Sequence, residues 1–168
     1  MDALNEFDVH ICCRCTSSLD DEAVRISDRY LSVEEQARRD RLRLEADRRD
    51  FTFAYDLLRR TLSNFAELPP GDWRFSVNDY GKPSIDSNEP RLRALSFNLS
   101  YTRGFIACAV ALNGPVGVDV ERIDQSQRLQ EIADQYFSEE EAVWLLQCSS
   151  ELRNVRIIEL WKIGRAHV

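Results

Sequence analysis

The sequence lacks a long hydrophobic run, a secretion signal and cysteine pairs at metal-binding spacing. No stretch of about 18 consecutive apolar residues occurs, which argues against a membrane-spanning helix. The N-terminus has no basic segment followed by an apolar one, so we expect a cytoplasmic protein that is not exported. The five cysteines include no CxxC pair and no nearby histidine cluster. This pattern predicts reduced thiols rather than disulfides or a zinc site.

An excess of positive charge is also absent, since the net charge is −7. That balance argues against a nucleic-acid binder. The charge is uneven, however, because residues 38–60 contain eight arginines beside five acids. A locally basic helix in an acidic protein suits an anionic ligand. A solvated helix held by salt bridges is the simpler explanation of most of these arginines, so both interpretations stay open.

Two acids alternate with valines over residues 115–121, which read Pro-Val-Gly-Val-Asp-Val-Glu. Because a strand directs alternate side chains to opposite faces, the pattern predicts Asp119 and Glu121 on one face and Val118 and Val120 in the core. Neighbouring carboxylates persist where a cation neutralises them, and oxygen ligands at a strand end suit Mg²⁺ with a phosphate substrate. A strand that ends in a solvated turn explains the same acids, so this stretch alone decides nothing.

The first third of the sequence predicts a strand followed by helices. The face of the strand that we expect to be buried consists of Phe7, Val9, Ile11, Cys13 and Cys15. Ser18 with Asp21 predicts one helix start, and Ser32 with Glu35 predicts another. The second helical stretch reaches about residue 66, with a break within residues 44–50. The apolar face of its later part consists of Phe51, Ala54, Leu58, Leu62 and Phe65.

The middle of the chain predicts consecutive short strands. They cover residues 73–77, 95–100 and 104–111, the last buried on both faces, and then the acidic strand. Helices follow over residues 128–136, 138–147 and 150–161, with Ser138 and Glu141 forming a capping pattern. We therefore predict a mixed α/β (α+β) fold of two related lobes that share an interface, covering residues 1–112 and 113–162.

Five short motifs in this order resemble those of the 4′-phosphopantetheinyl transferases, in particular the monomeric type that primes peptide and polyketide synthases. The motifs are Tyr80-Gly81-Lys82-Pro83, Phe97-Asn98-Leu99-Ser100-Tyr101-Thr102, Gly117-Val118-Asp119-Val120-Glu121, Phe137-Ser138-x-x-Glu141 and Leu160-Trp161. Each motif is weak alone, but five in the family's order are specific. The resemblance implies a monomer with two pseudo-symmetric α/β lobes and coenzyme A bound between them.

The resemblance also implies a reaction: Mg²⁺-dependent transfer of the phosphopantetheine arm of coenzyme A to a serine of an acyl or peptidyl carrier protein. Asp119 and Glu121 match the family's first two metal ligands and are the catalytic residues that it implies. Lys82 and Pro83 match the segment that lines the nucleotide, where an ammonium group can pair with phosphate. Neither a nucleic acid nor a membrane is an expected partner.

Two substrate-binding positions depart from the family's pattern. Ser100 and Tyr101 match a Ser-His pair that contacts the nucleotide's phosphates, but a tyrosine cannot supply an imidazolium charge. The family also has an arginine nine residues before the one that matches Arg59, and Asp50 stands at that position here. We carry the role of that arginine to Arg49.

The end of the sequence departs further. After its tryptophan the family has a lysine and then a glutamate, which is the third metal ligand, whereas Gly164 and Arg165 stand at those positions here. Residues 163–168 resemble the translation of a sequencing adapter, so we expect a non-native tail after an incomplete second lobe and exclude His167 as a ligand. The expected consequence is an inactive form of the enzyme. The alternative is a fragment that binds coenzyme A or a carrier protein without turning it over.

Overall fold

A computed structural model of the chain describes residues 5, 8–79, 81–122, 133 and 135–165. The chain divides into two compact units, Met1–Val120 and Glu121–Val168. Helices and antiparallel sheets are mixed in it, which confirms the predicted α+β class. The predicted lobe boundaries, residues 1–112, 113–162 and a tail over 163–168, stay a prediction.

The first unit contains five strands and four α-helices within its described residues. In chain order they are β1 (Val9–Cys15), α1 (Asp21–Asp28), α2 (Val33–Asp40), α3 (Glu45–Ser63), β2 (Phe75–Val77), β3 (Pro83–Ile85), α4 (Pro90–Arg93), β4 (Leu95–Thr102) and β5 (Phe105–Leu112). One antiparallel sheet has the order β1-β5-β4, and β2 and β3 form a separate hairpin.

The core of the first unit lies between α3 and the central strand β5. Leu58 and Leu62 of α3 pack with Cys108 and Val110 of β5. The predicted apolar face of α3 is confirmed, with Phe65 only partly buried. β5 is buried from Ile106 to Ala111, as its small and apolar residues predict. This burial on both faces follows from its central place in the sheet.

The prediction for the buried face of β1 is wrong. Val9 and Ile11, which we expected inside, are 54% and 58% exposed. The opposite face approaches α3, where Arg14 Nη1 lies 3.1 Å from Asp56 Oδ2. Asp56 is buried, and a buried carboxylate requires a cation or hydrogen bonds. This ion pair explains why the polar face of β1 packs inward.

The helix boundaries follow local capping. Ser32 and Glu35 form the predicted capping box at the start of α2. The predicted cap at Ser18 is wrong, because Asp20 caps α1 by accepting a hydrogen bond from the Ala23 N–H. The break between α2 and α3 falls at residues 41–44, slightly before the predicted region.

The acidic stretch is extended, but the prediction that it forms a strand is wrong. Side chains of β4 accept its backbone hydrogen bonds: Val118 N–H donates to Asn98 Oδ1 at 3.0 Å, and Val120 N–H donates to Ser100 Oγ at 3.1 Å. These bonds replace the main-chain ladder that defines a strand. The predicted alternation remains, since Asp119 is exposed while both valines are half-buried.

The second unit contains α5 (Glu139–Gln147) and α6 (Ser150–Arg165). Ser138 and Glu141 form the predicted capping box of α5. Ala133, Leu145 and Ile157 pack together as its buried core. The predicted helix over residues 128–136 lies mostly outside the described residues, as do Tyr80 and His167. None of the helices in the described ranges is long and apolar enough to cross a membrane.

Candidate functional site

The turn between β2 and β3 positions Lys82 and Pro83. Gly81 N–H donates to Asn78 O at 2.9 Å, and Lys82 N–H donates to Asn78 Oδ1 at 2.9 Å. Gly81 has φ +80°, a conformation that favours glycine. The turn therefore fixes the backbone immediately before Lys82 and Pro83.

A cleft of about 290 Å³ adjoins this turn. Lys82, Pro83 and Arg93 line it, together with apolar side chains and two serines from β3, β4 and residues 115–116. Among the described residues that line it, none is acidic. Apolar walls with two cations suit a ligand that combines a flat apolar group with an anionic group. Arg93 was not among the residues that the sequence indicated.

Ion pairing distinguishes these two cations from seven arginines of the first unit, each of which has a carboxylate partner. In the part of the chain that the structure describes, neither Lys82 nor Arg93 has a carboxylate within ion-pair distance. Arginines that do have one include Arg14, Arg39, Arg48, Arg49, Arg59 and Arg60. Within the described residues, five of the eight arginines of residues 38–60 therefore form a salt bridge, as that interpretation expects.

Arg38 is a third cation near the turn. Its guanidinium donates to Tyr55 Oη at 3.2 Å and to Gly81 O at 3.4 Å, and lies 5.9 Å from the ring centre of Phe51. Phe51 contacts Tyr101 edge-on, with ring centres 6.5 Å apart. Burial raises the pKa of both Tyr55 and Tyr101, and Arg38 opposes each shift. Arg38 thus places a positive charge close to the tyrosine that replaces the family's histidine.

Ser100 links β4 to the acidic stretch. Its hydroxyl donates to Asp119 Oδ1 at 3.3 Å and accepts the Val120 N–H at 3.1 Å. Ser96, which lines the cleft, is four residues away and on the same face of β4. The predicted phosphate-binding serine and one predicted metal ligand are therefore in direct contact, on the strand that forms one wall of the cleft.

Asp119 and Glu121 are both exposed, which leaves their oxygens accessible to a cation. Asp119 belongs to the first unit and Glu121 begins the second, so their joint ligation of a metal stays a prediction. Within the described ranges, no group of three or more His, Cys, Asp or Glu side chains could hold a metal ion. Two carboxylates fit a weakly held Mg²⁺ that takes its other ligands from water and phosphate.

Arg49 lies elsewhere in the first unit. It donates to Asp21 Oδ1 at 2.5 Å and to Leu19 O at 2.6 Å, and so ties α3 to the start of α1. Its role in substrate binding stays a prediction. Asp50 is buried and accepts the Gly104 N–H at 3.1 Å, which explains why this position suits an acid rather than the family's arginine.

No protein-family model matches the chain. Among curated proteins, it is 29% identical over 164 residues to the 4′-phosphopantetheinyl transferase gsp of Aneurinibacillus migulanus, covering 98% of this chain and 60% of the relative. It is 28% identical over 138 residues to HetI of Nostoc sp., covering 82% and 58%. It is 30% identical over 112 residues to Sfp of Bacillus subtilis, covering 67% and 47%. Both are also named 4′-phosphopantetheinyl transferases.

The chain therefore spans about half to 60% of the length of these relatives. A solved structure of the holo-[acyl-carrier-protein] synthase of Helicobacter pylori, in complex with coenzyme A, superposes with a TM-score of 0.46 at 16% identity. The superposition covers 62% of this chain and 99% of that one.

Proposed function

Because the chain belongs to the 4′-phosphopantetheinyl transferase superfamily, we propose that its first unit binds coenzyme A as the donor for modification of a carrier protein. The reaction would transfer the 4′-phosphopantetheine group to a serine of an acyl or peptidyl carrier protein. Adenosine 3′,5′-diphosphate would leave. The cleft beside the Lys82 turn is the observation that supports this most strongly.

The cleft suits the nucleotide end of coenzyme A. Lys82 and Arg93 offer two cations, with no acid among the other described lining residues, and Pro83 and Phe97 offer apolar surface to a base. A phosphate bound by either cation would form a charge-assisted hydrogen bond, which is stronger than a neutral one. Because Lys82 follows a turn held by Asn78, its backbone needs little reorganisation to bind.

Arg38 and Ser100 extend the anion-binding surface from this cleft. Arg38 would supply the positive charge that Tyr101 cannot provide. Because Arg49 already pairs with Asp21, we assign the phosphate-binding role to Arg38. Ser100 holds Asp119 in place through its hydroxyl proton. When a phosphate binds, that proton can turn to a phosphate oxygen and leave Asp119 Oδ1 for a cation.

Asp119 and Glu121 would hold the Mg²⁺ that the family's chemistry requires. The chemistry that Mg²⁺ would supply when held there is neutralisation of the negative charge on the diphosphate. The exposure of both carboxylates suits a hydrated ion. Ser100 also holds Asp119 by a hydrogen bond, so the metal ion and the phosphate would both bind beside Ser100 of β4.

We further propose that the chain as it stands binds coenzyme A without turning it over. Arg165 stands in the sequence where the resemblance implies the third carboxylate, and a guanidinium has no lone pair with which to ligate a metal ion. The test is incubation with an apo carrier protein, coenzyme A and Mg²⁺, followed by intact-mass measurement of the carrier. No mass gain is expected, and efficient modification would contradict the assignment of Arg165.

Binding itself is tested by calorimetric titration with coenzyme A. Lys82→Ala and Arg93→Ala should each weaken binding by about 1.5–3 kcal/mol, the usual range for a hydrogen bond to a charged group. Arg91→Ala is the matched control, because Arg91 is on the same short helix but lines a different cavity. Equal losses in all three variants would indicate a general charge effect rather than this site.

The metal proposal has a separate readout, the gain in coenzyme A affinity when Mg²⁺ is added. We expect a gain in the unaltered chain and none in Asp119→Ala. Glu67→Ala is the control, since Glu67 is an exposed acid of the same unit that lines a different cavity. A gain that persists in Asp119→Ala would remove Asp119 from the metal site.

A further inference from the structure

Two cysteines from different parts of the sequence lie opposite each other in the main sheet. The antiparallel register pairs Cys12 of β1 with Cys108 of β5. Directly opposite residues share a face of the sheet, with Cβ atoms about 4.5–5.5 Å apart. A disulfide has Cα atoms about 4.4–6.8 Å apart and needs only a small further approach of the Cβ atoms. Both cysteines are free, and the register brings their Cβ atoms close to the separation that a disulfide needs.

The two thiols have different surroundings. Cys12 is half-buried, and its Sγ lies 3.3 Å from Nε2 of His10 on the same strand face. The contact places an imidazole nitrogen, which can accept a proton during the reaction, beside the Cys12 sulfur. Cys108 is fully buried against α3, and burial raises the pKa of its thiol to about 12. Cys12 is therefore the thiol that solvent reaches and that reacts first.

We propose that Cys12 and Cys108 form a peroxide-sensitive dithiol that closes to a disulfide between β1 and β5. The Cys12 sulfur attacks one oxygen of hydrogen peroxide, the O–O bond breaks, and the thiol proton passes to the departing hydroxide, so that a sulfenic acid and one water result. The Cys108 sulfur then attacks the Cys12 sulfur. The hydroxyl leaves as water with the Cys108 proton. The dithiol loses two electrons and two protons, and peroxide is reduced to two waters.

Neighbouring cysteines provide internal controls. Cys13 and Cys15 are exposed on the other face of β1, where their opposite residues are Ala107 and Phe105. They are more accessible than Cys12 but have no cysteine across the strand. If accessibility alone governs oxidation, they should react before Cys12. If the register governs it, the cross-link should join Cys12 to Cys108.

The experiment treats the reduced chain with limiting hydrogen peroxide, blocks the remaining thiols with N-ethylmaleimide, and maps cysteines by peptide mass spectrometry. The expected product is one cross-linked peptide pair containing Cys12 and Cys108, two hydrogen masses lighter than the separate peptides. Cys13 and Cys15 should remain alkylatable, and dithiothreitol should reverse the product. A dominant disulfide to Cys13, Cys15 or Cys148 would overturn the proposal, as would a Cys12 sulfenic acid that persists without cross-linking.

Three variants sharpen the result. Cys13→Ser should give the same cross-link yield as the unaltered chain, whereas Cys12→Ser should give none. His10→Asn should slow closure severalfold because the imidazole contact is lost, while peptide mapping still finds the same pair. Closure of His10→Asn at the unaltered rate would overturn the role assigned to His10. The same pairing in urea-unfolded chain, at equal yield, would show that the sheet register does not direct it.

Discussion

Glu35 and Arg59 form the buried ion pair that joins α2 to α3, and its removal gives a sharp test of the fold. Arg59 Nη2 lies 3.0 Å and 2.7 Å from the two Glu35 oxygens, and the two residues are 1% and 5% exposed. Burial lowers the pKa of Arg59, and Glu35 opposes that shift. Glu35 also accepts the Ser32 N–H in the capping box. Glu35→Gln therefore removes the charge while leaving a side chain that can still cap α2.

Removing one partner of a buried pair typically costs about 3–5 kcal/mol, because the other charge stays buried without compensation. We expect Glu35→Gln and Arg59→Met each to lower the free energy of unfolding by an amount in that range. Besides Glu35, Arg59 has the Tyr55 carbonyl oxygen as an acceptor, 3.4 Å from Nη1, and its Nε has no hydrogen-bond partner within the described part of the chain. A neutral carbonyl does not compensate the buried charge that the loss of Glu35 would leave. Such a loss is a large share of the roughly 5–15 kcal/mol that stabilises an ordinary domain.

The measurement is urea unfolding of the two single variants and the double variant. The double variant should be less destabilised than the sum of the singles, because neither charge remains unpaired. Glu22→Gln, which breaks the exposed pair of Arg25 and Glu22 on α1, is the control and should leave the unfolding midpoint unchanged. Additive losses, or single losses under about 1 kcal/mol, would refute the reasoning.

Two further predictions concern the loop that joins β4 to β5. Asp50→Ala should lower the free energy of unfolding in urea by about 2–4 kcal/mol, because it leaves both the Thr16 hydroxyl and the Gly104 N–H without their buried acceptor. A loss near zero would contradict this and would mean that water replaces the carboxylate. Gly104→Ala should lower the free energy of unfolding by at least about 1 kcal/mol, since φ of Gly104 is +86° and the added Cβ would lie 2.5 Å from Ser17 Oγ. Gly114→Ala is the control and should be tolerated, because a Cβ there meets no atom within 4 Å.

The elements that the sequence predicts best are those whose orientation is decided by apolar packing alone. The apolar faces of α3 and β5 are long and regular, and they pack against each other as expected. β1 has a regular alternation too, but its orientation depends on the ion pair between Arg14 and Asp56. No local pattern contains that pair, because the two residues are 42 positions apart.

The candidate site shows the same limit. Motif resemblance indicates Lys82, and the structure places it in a cleft. The resemblance does not indicate Arg38 or Arg93. The sequence alone does not distinguish one arginine from another, because tertiary packing decides which of them has a carboxylate partner. Arg49 shows the opposite case: the resemblance indicates it, but it already pairs with Asp21, which comes from a separate helix.

The most direct test of the central claim is amide chemical-shift mapping by NMR as coenzyme A is added to the chain. The largest shifts should fall on residues 81–85 and 95–97, which border the cleft, with smaller ones at Ser100 and Asp119. Adenosine 3′,5′-diphosphate should reproduce the shifts at the cleft, because the proposal places the nucleotide end there. Absence of binding, or shifts confined to α5 and α6, would contradict the assignment of this cleft to coenzyme A.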